Sequence, residues 1–204
     1  MHLIYTIFIA LANNLDNIAV RIAYGIRGIK ISTWKNLWIS VITFLISSFA
    51  AFSGSFISKV LNKNVSSVIS MILLVSIGLW IMLEPIIKKE GKKADIPISE
   101  SDNKIYNILK NPEKADCDNS KDIDFKEATF LGVALSINNI GGGLSAGMIG
   151  LNPFLVGLFS AIISFLALWA GNYIAELFNK HNLGKKATII AGVLLIIIGI
   201  SQFL

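Results

Sequence analysis

Six apolar stretches, each of about 20 residues, run through this chain and leave little choice of fold. A helix of that length crosses roughly 30 Å of hydrocarbon. Lipid offers the backbone no hydrogen-bond partner, so each stretch is expected to be an α-helix. The first runs from about His2 to Ile26, the second from Leu37 to Lys59 and the third from Val65 to Ile87. A polar segment follows, Lys88 to about Glu127. The fourth stretch covers Ala128 to Ile149, the fifth Pro153 to Leu177 and the sixth Ala187 to Leu204. Trp34 and Trp38 stand at the entry of the second, as interfacial anchors do. Leu3 to Ala12 has the look of a signal-peptide apolar region. No Lys or Arg precedes it, however, and apolar character resumes after Asp16, so it is read as part of a retained first span.

The predicted fold class is an all-α integral membrane protein with six transmembrane helices. Only 15% of the residues are charged, and most of these lie in the polar segment. The net charge of +5 does not point to nucleic acid, because the lysines flank apolar spans and no nucleic-acid module is present. Arg27, Lys30, Lys35, nine lysines from Lys88 to Lys126, and Lys180, Lys185 and Lys186 fall on one side of a six-span chain. Lys59 and Lys63 alone fall on the other. The first side is therefore expected to be cytoplasmic, with both termini outside.

The spans repeat. NLDNIAVRIAYGIRG (Asn14 to Gly28) aligns with SINNIGGGLSAGMIG (Ser136 to Gly150), matching Asn17 to Asn139 and placing Asp16 on Asn138. Ala51 to Lys63 aligns with Leu168 to Lys180, and Ile72 to Trp80 with Val193 to Ser201. Three spans per half is odd, so the halves are expected to be inverted. This gives a first repeat at 1–87, a cytoplasmic loop at 88–127 and a second repeat at 128–204. Transporters built this way place their site near the midplane at the repeat interface.

Asp16 lies inside the first span, where a carboxylate is costly and marks an ion or proton path, or else is held by interhelical hydrogen bonds. Asn13, Asp16, Asn17 and Val20 share a helix face, which offers oxygen ligands. The fourth span carries Asn138 and Asn139, then Gly141, Gly142 and Gly143. The glycines admit two roles: breaking the helix to free carbonyls, or, more commonly, close helix packing. Arg21 is about 140° around the helix from Asp16 and reads as a snorkelling or orienting cation. Glu176 and Lys180 read as a helix-end ion pair.

The polar segment holds DCDNSKDIDFKE, Asp116 to Glu127. An EF-hand loop places oxygen ligands at positions 1, 3, 5, 7, 9 and 12. Here those are Asp116, Asp118, Ser120, Asp122, Asp124 and Glu127, with apolar Ile123 at position 8. Position 6, normally Gly, is Lys121. The alternative is an acidic loop that caps the fourth span. Cys117 is a lone thiol with no disulfide partner, and His2 and His181 sit at span boundaries. No nucleophile–base pair, histidine cluster or phosphate loop suggests an enzyme.

LANNLDNIAV, VALSINNIGGG and NPEKADCDNSKDIDFKEA together resemble the YtaF-type sporulation membrane proteins, relatives of the MntP manganese-efflux pumps in the LysE transporter superfamily. The resemblance spans the whole chain. It implies a six-helix inverted-repeat transporter in a bacterial, spore-forming host that exports a divalent, Mn2+-like cation by alternating access. It implies a charged ligand at Asp16 only. The manganese pumps carry a second Asp in span four, where this chain has Asn138. The competing expectation is a non-transporting sporulation scaffold or sensor, whose loop binds a divalent cation or a protein. No resident cofactor is expected. The expected partners are the bilayer and a small cation, Mn2+ or Ca2+, and self-association is compatible with such a chain.

Overall fold

The structure, a computed structural model, describes residues 2–27, 29–61, 63–90, 115–116, 118, 120–181 and positions 193, 196 and 200. Most of the sixth stretch, Cys117, and the side chains of Glu176, Lys180 and His181 lie outside the described residues.

Every regular element described is a helix. In chain order these are α1 (His2–Asn13), α2 (Leu15–Arg27), α3 (Thr33–Val60), α4 (Lys63–Glu90), α5 (Phe125–Ile137), α6 (Asn139–Met148) and α7 (Pro153–His181). The first five apolar stretches fall on them. The second, third and fifth are single helices, α3, α4 and α7. The first and fourth are each interrupted once, at Asn14 and at Asn138. By length and composition two helical segments among the described residues can cross a membrane, Thr33–Val60 and Pro153–Ala170. His2–Asn13 and Asn64–Trp80 are shorter apolar helices.

The break at Asn14 needs neither Gly nor Pro. The Asn14 N–H bonds Leu11 O at 3.2 Å instead of the carbonyl four residues back. The Asn14 amide then donates to that abandoned carbonyl, Ala10 O, at 2.8 Å. A short polar side chain here competes with its own helix for a backbone acceptor. Two helix starts are closed by side-chain caps. Asp124 and Glu127 form a reciprocal capping box that starts α5. The Asn152 side chain accepts from Phe154 and Leu155 N–H and starts α7, with Pro153 as its first residue. Gly150 takes φ 82° in the turn that ends α6, a conformation open to glycine.

Helix α3 is the centre of the bundle. It packs on α5, α6 and α7 but has little contact with α4, its neighbour in sequence. Helices α1 and α2 pack on α7, and α4 packs on α6. Ser66 and Ser70 of α4 donate to Met148 O and Ser145 O. Glycine sets the closest approach. The Gly147 α-carbon faces Ala51 O of α3, and Gly54 of α3 faces Leu144 O, with no room for a methyl group at either. The outer surface is strongly apolar: Trp34, Phe49, Phe56, Trp80 and Trp169 are all more than half exposed. Such a surface suits lipid rather than water.

The interior is layered. One apolar cluster contains Val20, Tyr24, Ile39, Leu131, Leu135 and Leu168. Another contains Ile9, Ala12, Ala51, Ala146 and Val156. On four of the five spans the residues between these clusters in sequence are polar and buried: Asn13, Asn14 and Asn17; Thr43 and Ser47; Ser136 and Asn139; Ser160 and Ser164. A buried polar layer therefore lies between two apolar ones.

Candidate cation-binding site

The polar layer is joined by side-chain hydrogen bonds across four spans. Asn17 Nδ2 donates to Ser164 Oγ at 2.9 Å and to Asn14 Oδ1 at 3.2 Å. Asn139 Nδ2 donates to Ser47 Oγ at 3.3 Å and to Asn14 Oδ1 at 3.4 Å. Thr43 Oγ1 donates to Ser164 Oγ, and Ser136 Oγ reaches Thr43 Oγ1. Hydroxyls and amides thus satisfy each other where water is absent.

Some acceptors are left over. Asn13 Oδ1, Asn17 Oδ1 and Asn139 Oδ1 are buried with no hydrogen-bond partner. Their residues are 5%, 1% and 0% exposed. On the same two spans, Asn138, an exposed residue, donates from Nδ2 to Asp16 Oδ2 at 2.5 Å, and Asp16 Oδ1 accepts from the Asn17 N–H at 3.0 Å. Asp16 and Asn138, matched by the sequence repeat, are thus in direct contact. Both lie at or next to a helix break. The donor set is all oxygen, which suits a hard cation such as Mg2+, Ca2+ or Mn2+ rather than a thiophilic metal.

The three glycines after Asn139 lie within α6, and the interruption falls ahead of them at Asn138. Of the two roles open to them, the structure displays packing. A methyl group on Gly142 would occupy the place of the Asn13 amide, so this glycine makes room for that side chain. Gly143 lies against Ala50 and Ser47 O, and Gly141 against Ile77. Arg21 is half-buried and donates from Nη1 to Ile29 O at 3.3 Å, bracing the connection between α2 and α3.

The acidic loop is folded against the bundle. Lys30 N donates to Lys121 O at 2.9 Å and Ile123 N to Lys30 O at 3.0 Å, a parallel β-bridge. Lys35 Nζ pairs with Asp122 Oδ2 at 2.8 Å. Ala115 and Ile123 are fully buried in the apolar cluster beneath. Asp116 Oδ1 and Asp118 Oδ1 both accept from the Ser120 N–H, and Asp116 Oδ2 accepts from the Lys121 N–H. Lys121 takes φ 61°, the left-handed conformation that an EF-hand assigns to its sixth residue. Carboxylate oxygens of Asp116, Asp118 and Glu127 lie within 4.8 Å of one another. Asp122 is turned to Lys35 instead, Asp124 serves the helix cap, and Ser120 Oγ donates to Asp122 O. Hydrogen bonding from Ser120, side chain first and then backbone, holds the exposed Asp118 carboxyl below its usual range.

An all-helical membrane protein with an oxygen-rich interior is the class that fold and site define. The family described as "Putative manganese efflux pump" matches residues 103–203. The chain is 30% identical to the "Probable sporulation protein YtaF" of Bacillus subtilis (strain 168), over 98% of this chain and 99% of that protein. It is 28% identical to a "Putative manganese efflux pump MntP" of Clostridium perfringens (strain SM101 / Type A), over 67% of this chain and 62% of that one. A protein of the same name from Methanosphaera stadtmanae is 25% identical over 95% of this chain and 94% of its own length. No solved structure matches. The chain belongs to the family of YtaF-type sporulation membrane proteins, related to the MntP manganese efflux pumps.

Proposed function

We propose that this protein is a secondary transporter that moves a small divalent, Mn2+-like cation out across the bacterial cell membrane by alternating access. The observation that carries the reading is the contact of the Asp16 carboxylate with Asn138, with three buried, unpartnered carbonyl oxygens, those of Asn13, Asn17 and Asn139, on the same two spans. Leaving one such acceptor unsatisfied costs about 1–3 kcal/mol. Three together make sense as ligands awaiting a cation. Asn138 holds Asp16 in place, and Gly141, Gly142 and Gly143 bring α6 close to its neighbours. The relatives named as manganese efflux pumps support the choice of ion, and the relative named for sporulation supports a spore-forming host.

Six spans in two inverted repeats, 1–87 and 128–204 about a cytoplasmic loop at 88–127, with both termini outside, form the framework of this proposal. The hydrogen bonds support it. Asn17 and Asn139 match in the repeat, and Ser47 and Ser164 lie four residues before the matched Ala51 and Leu168. The bond from Asn17 to Ser164 is therefore the counterpart of the bond from Asn139 to Ser47. Residues related by a two-fold axis touch each other only near that axis, as Asp16 and Asn138 do.

Cellular manganese tests the proposal. Cells expressing the wild type should hold less manganese than cells expressing Asp16→Asn. Equal manganese in the two, or no shift with the wild type, would sink it.

A second reading is a sporulation scaffold or sensor that binds a divalent cation in the 116–127 loop, through Asp116, Asp118, Ser120, Asp122, Asp124 and Glu127. The clustering of Asp116, Asp118 and Glu127 favours it. Calorimetry of the full chain with Ca2+ and with Mn2+ separates the two. Heat abolished by Asp118→Asn but not by Asp16→Asn supports the loop; no such heat at millimolar cation removes it.

A further inference from the structure

We infer that Ser47 and Ser164 are positioning residues that aim the carbonyl oxygens of Asn139 and Asn17 at the cation, once in each half of the protein. The inference rests on the transport-site reading above and adds the device that sets affinity there. An asparagine amide has a donor end and an acceptor end, and either can face a cavity. A cation is repelled by the donor end. A ligand asparagine therefore needs something that fixes which end faces inward.

The structure supplies that element twice. Asn17 spends its amide hydrogens on Ser164 Oγ and Asn14 Oδ1. Asn139 spends its own on Ser47 Oγ and the same Asn14 Oδ1. With both hydrogens committed, the oxygen of each is the end left without a protein partner. The reverse orientation would set an amide oxygen against Asn14 Oδ1, acceptor against acceptor. Asn14 is itself fixed, because its Nδ2 is used on Ala10 O at the break between α1 and α2. Thus Asn14 forbids the flip from one side and the two serines stabilise the correct orientation from the other. Ser47, Ser164 and Asn14 are each at most 1% exposed.

The test is Mn2+ binding to the purified full-length protein, read from the rise of its melting temperature with manganese(II) chloride concentration. Ser164→Ala and Ser47→Ala should each raise the Mn2+ Kd about ten-fold. Ser164→Thr and Ser47→Thr keep the hydroxyl and should restore the Kd to within about two-fold of the wild type. A purely structural role for the serines would lower the melting temperature of the metal-free protein and leave the Kd unchanged. That result overturns the inference. Should one alanine variant fail to fold, the variant in the other half carries the same prediction alone. Asp16→Asn is measured alongside. If it binds Mn2+ like the wild type, the site reading itself fails; if it loses binding while both serine variants keep theirs, only the positioning inference fails.

Discussion

Asn138 lies 2.5 Å from Asp16, and the two residues fall at the same position when Asn14 to Gly28 is aligned with Ser136 to Gly150. A neutral amide therefore stands opposite a carboxylate. Asn138→Asp should make the metal-free protein less stable, because like charges at this distance repel. It should also gain more stability from a divalent cation than the wild type does. Melting temperatures in chelator and in manganese(II) chloride check this: the variant is expected below the wild type in the first and to rise further in the second. A variant unaffected in both would mean that position 138 does not face the cation.

The contact between α3 and α6 depends on backbone meeting backbone. Gly147→Ala and Gly54→Ala should each cost about 1–3 kcal/mol by overpacking, more than the helix propensity gained. Thermal or denaturant unfolding reads this directly. The helix wall at Gly142 makes a different prediction. Gly142→Ala should displace the Asn13 amide and weaken cation binding by more than it lowers stability.

The docked loop contains one interaction that should matter and one that should not. Ile123 is fully buried, so Ile123→Ala should destabilise by about 2–5 kcal/mol. The pair between Lys35 and Asp122 has an exposed carboxylate, and Asp122→Asn should cost less than about 1 kcal/mol and less still in high salt. Unfolding in low and high salt compares the two.

Asp118 offers a pH test. Its carboxyl is held low in the folded chain, so its contribution is present above the unfolded pKa and is lost as pH falls through the folded one. Ser120→Ala should raise the Asp118 pKa toward the ordinary carboxylate value, as followed by NMR titration. An unmoved titration would show that the Ser120 hydroxyl is not the cause and leave the Ser120 N–H as the donor responsible.

The apolar runs placed the helices of the first five stretches, and two segments among the described residues, Thr33–Val60 and Pro153–Ala170, have the length and apolarity that hydrocarbon thickness demands. The sequence alignment paired Asp16 with Asn138 and left their meeting open; the structure brings the two into contact. The breaks were not legible in the sequence. Glycine is the usual mark of an interrupted helix, yet the run Gly141–Gly143, read from the sequence as more commonly a packing feature, lies inside α6 and after the break at Asn138. Asn14 breaks its helix by substituting a side-chain donor for a backbone one, which residue type alone does not announce. Ser47 and Ser164 were missed for a related reason. A lone serine in a membrane helix can bond its own preceding turn and needs no partner elsewhere. Extending the repeat register four residues upstream from Ala51 and Leu168 would have paired them.

The bridge between Lys30 and Asp122 ties the acidic loop to the segment that leaves α2. Its two hydrogen bonds involve peptide groups, so no side-chain rotation can release them. Any slide or tilt of α2 must carry residues 121–123 along with it, or break both bonds and bring Ile123 into water. The bridge therefore links the end of α2 to the start of α5, so that a displacement of one is felt at the other.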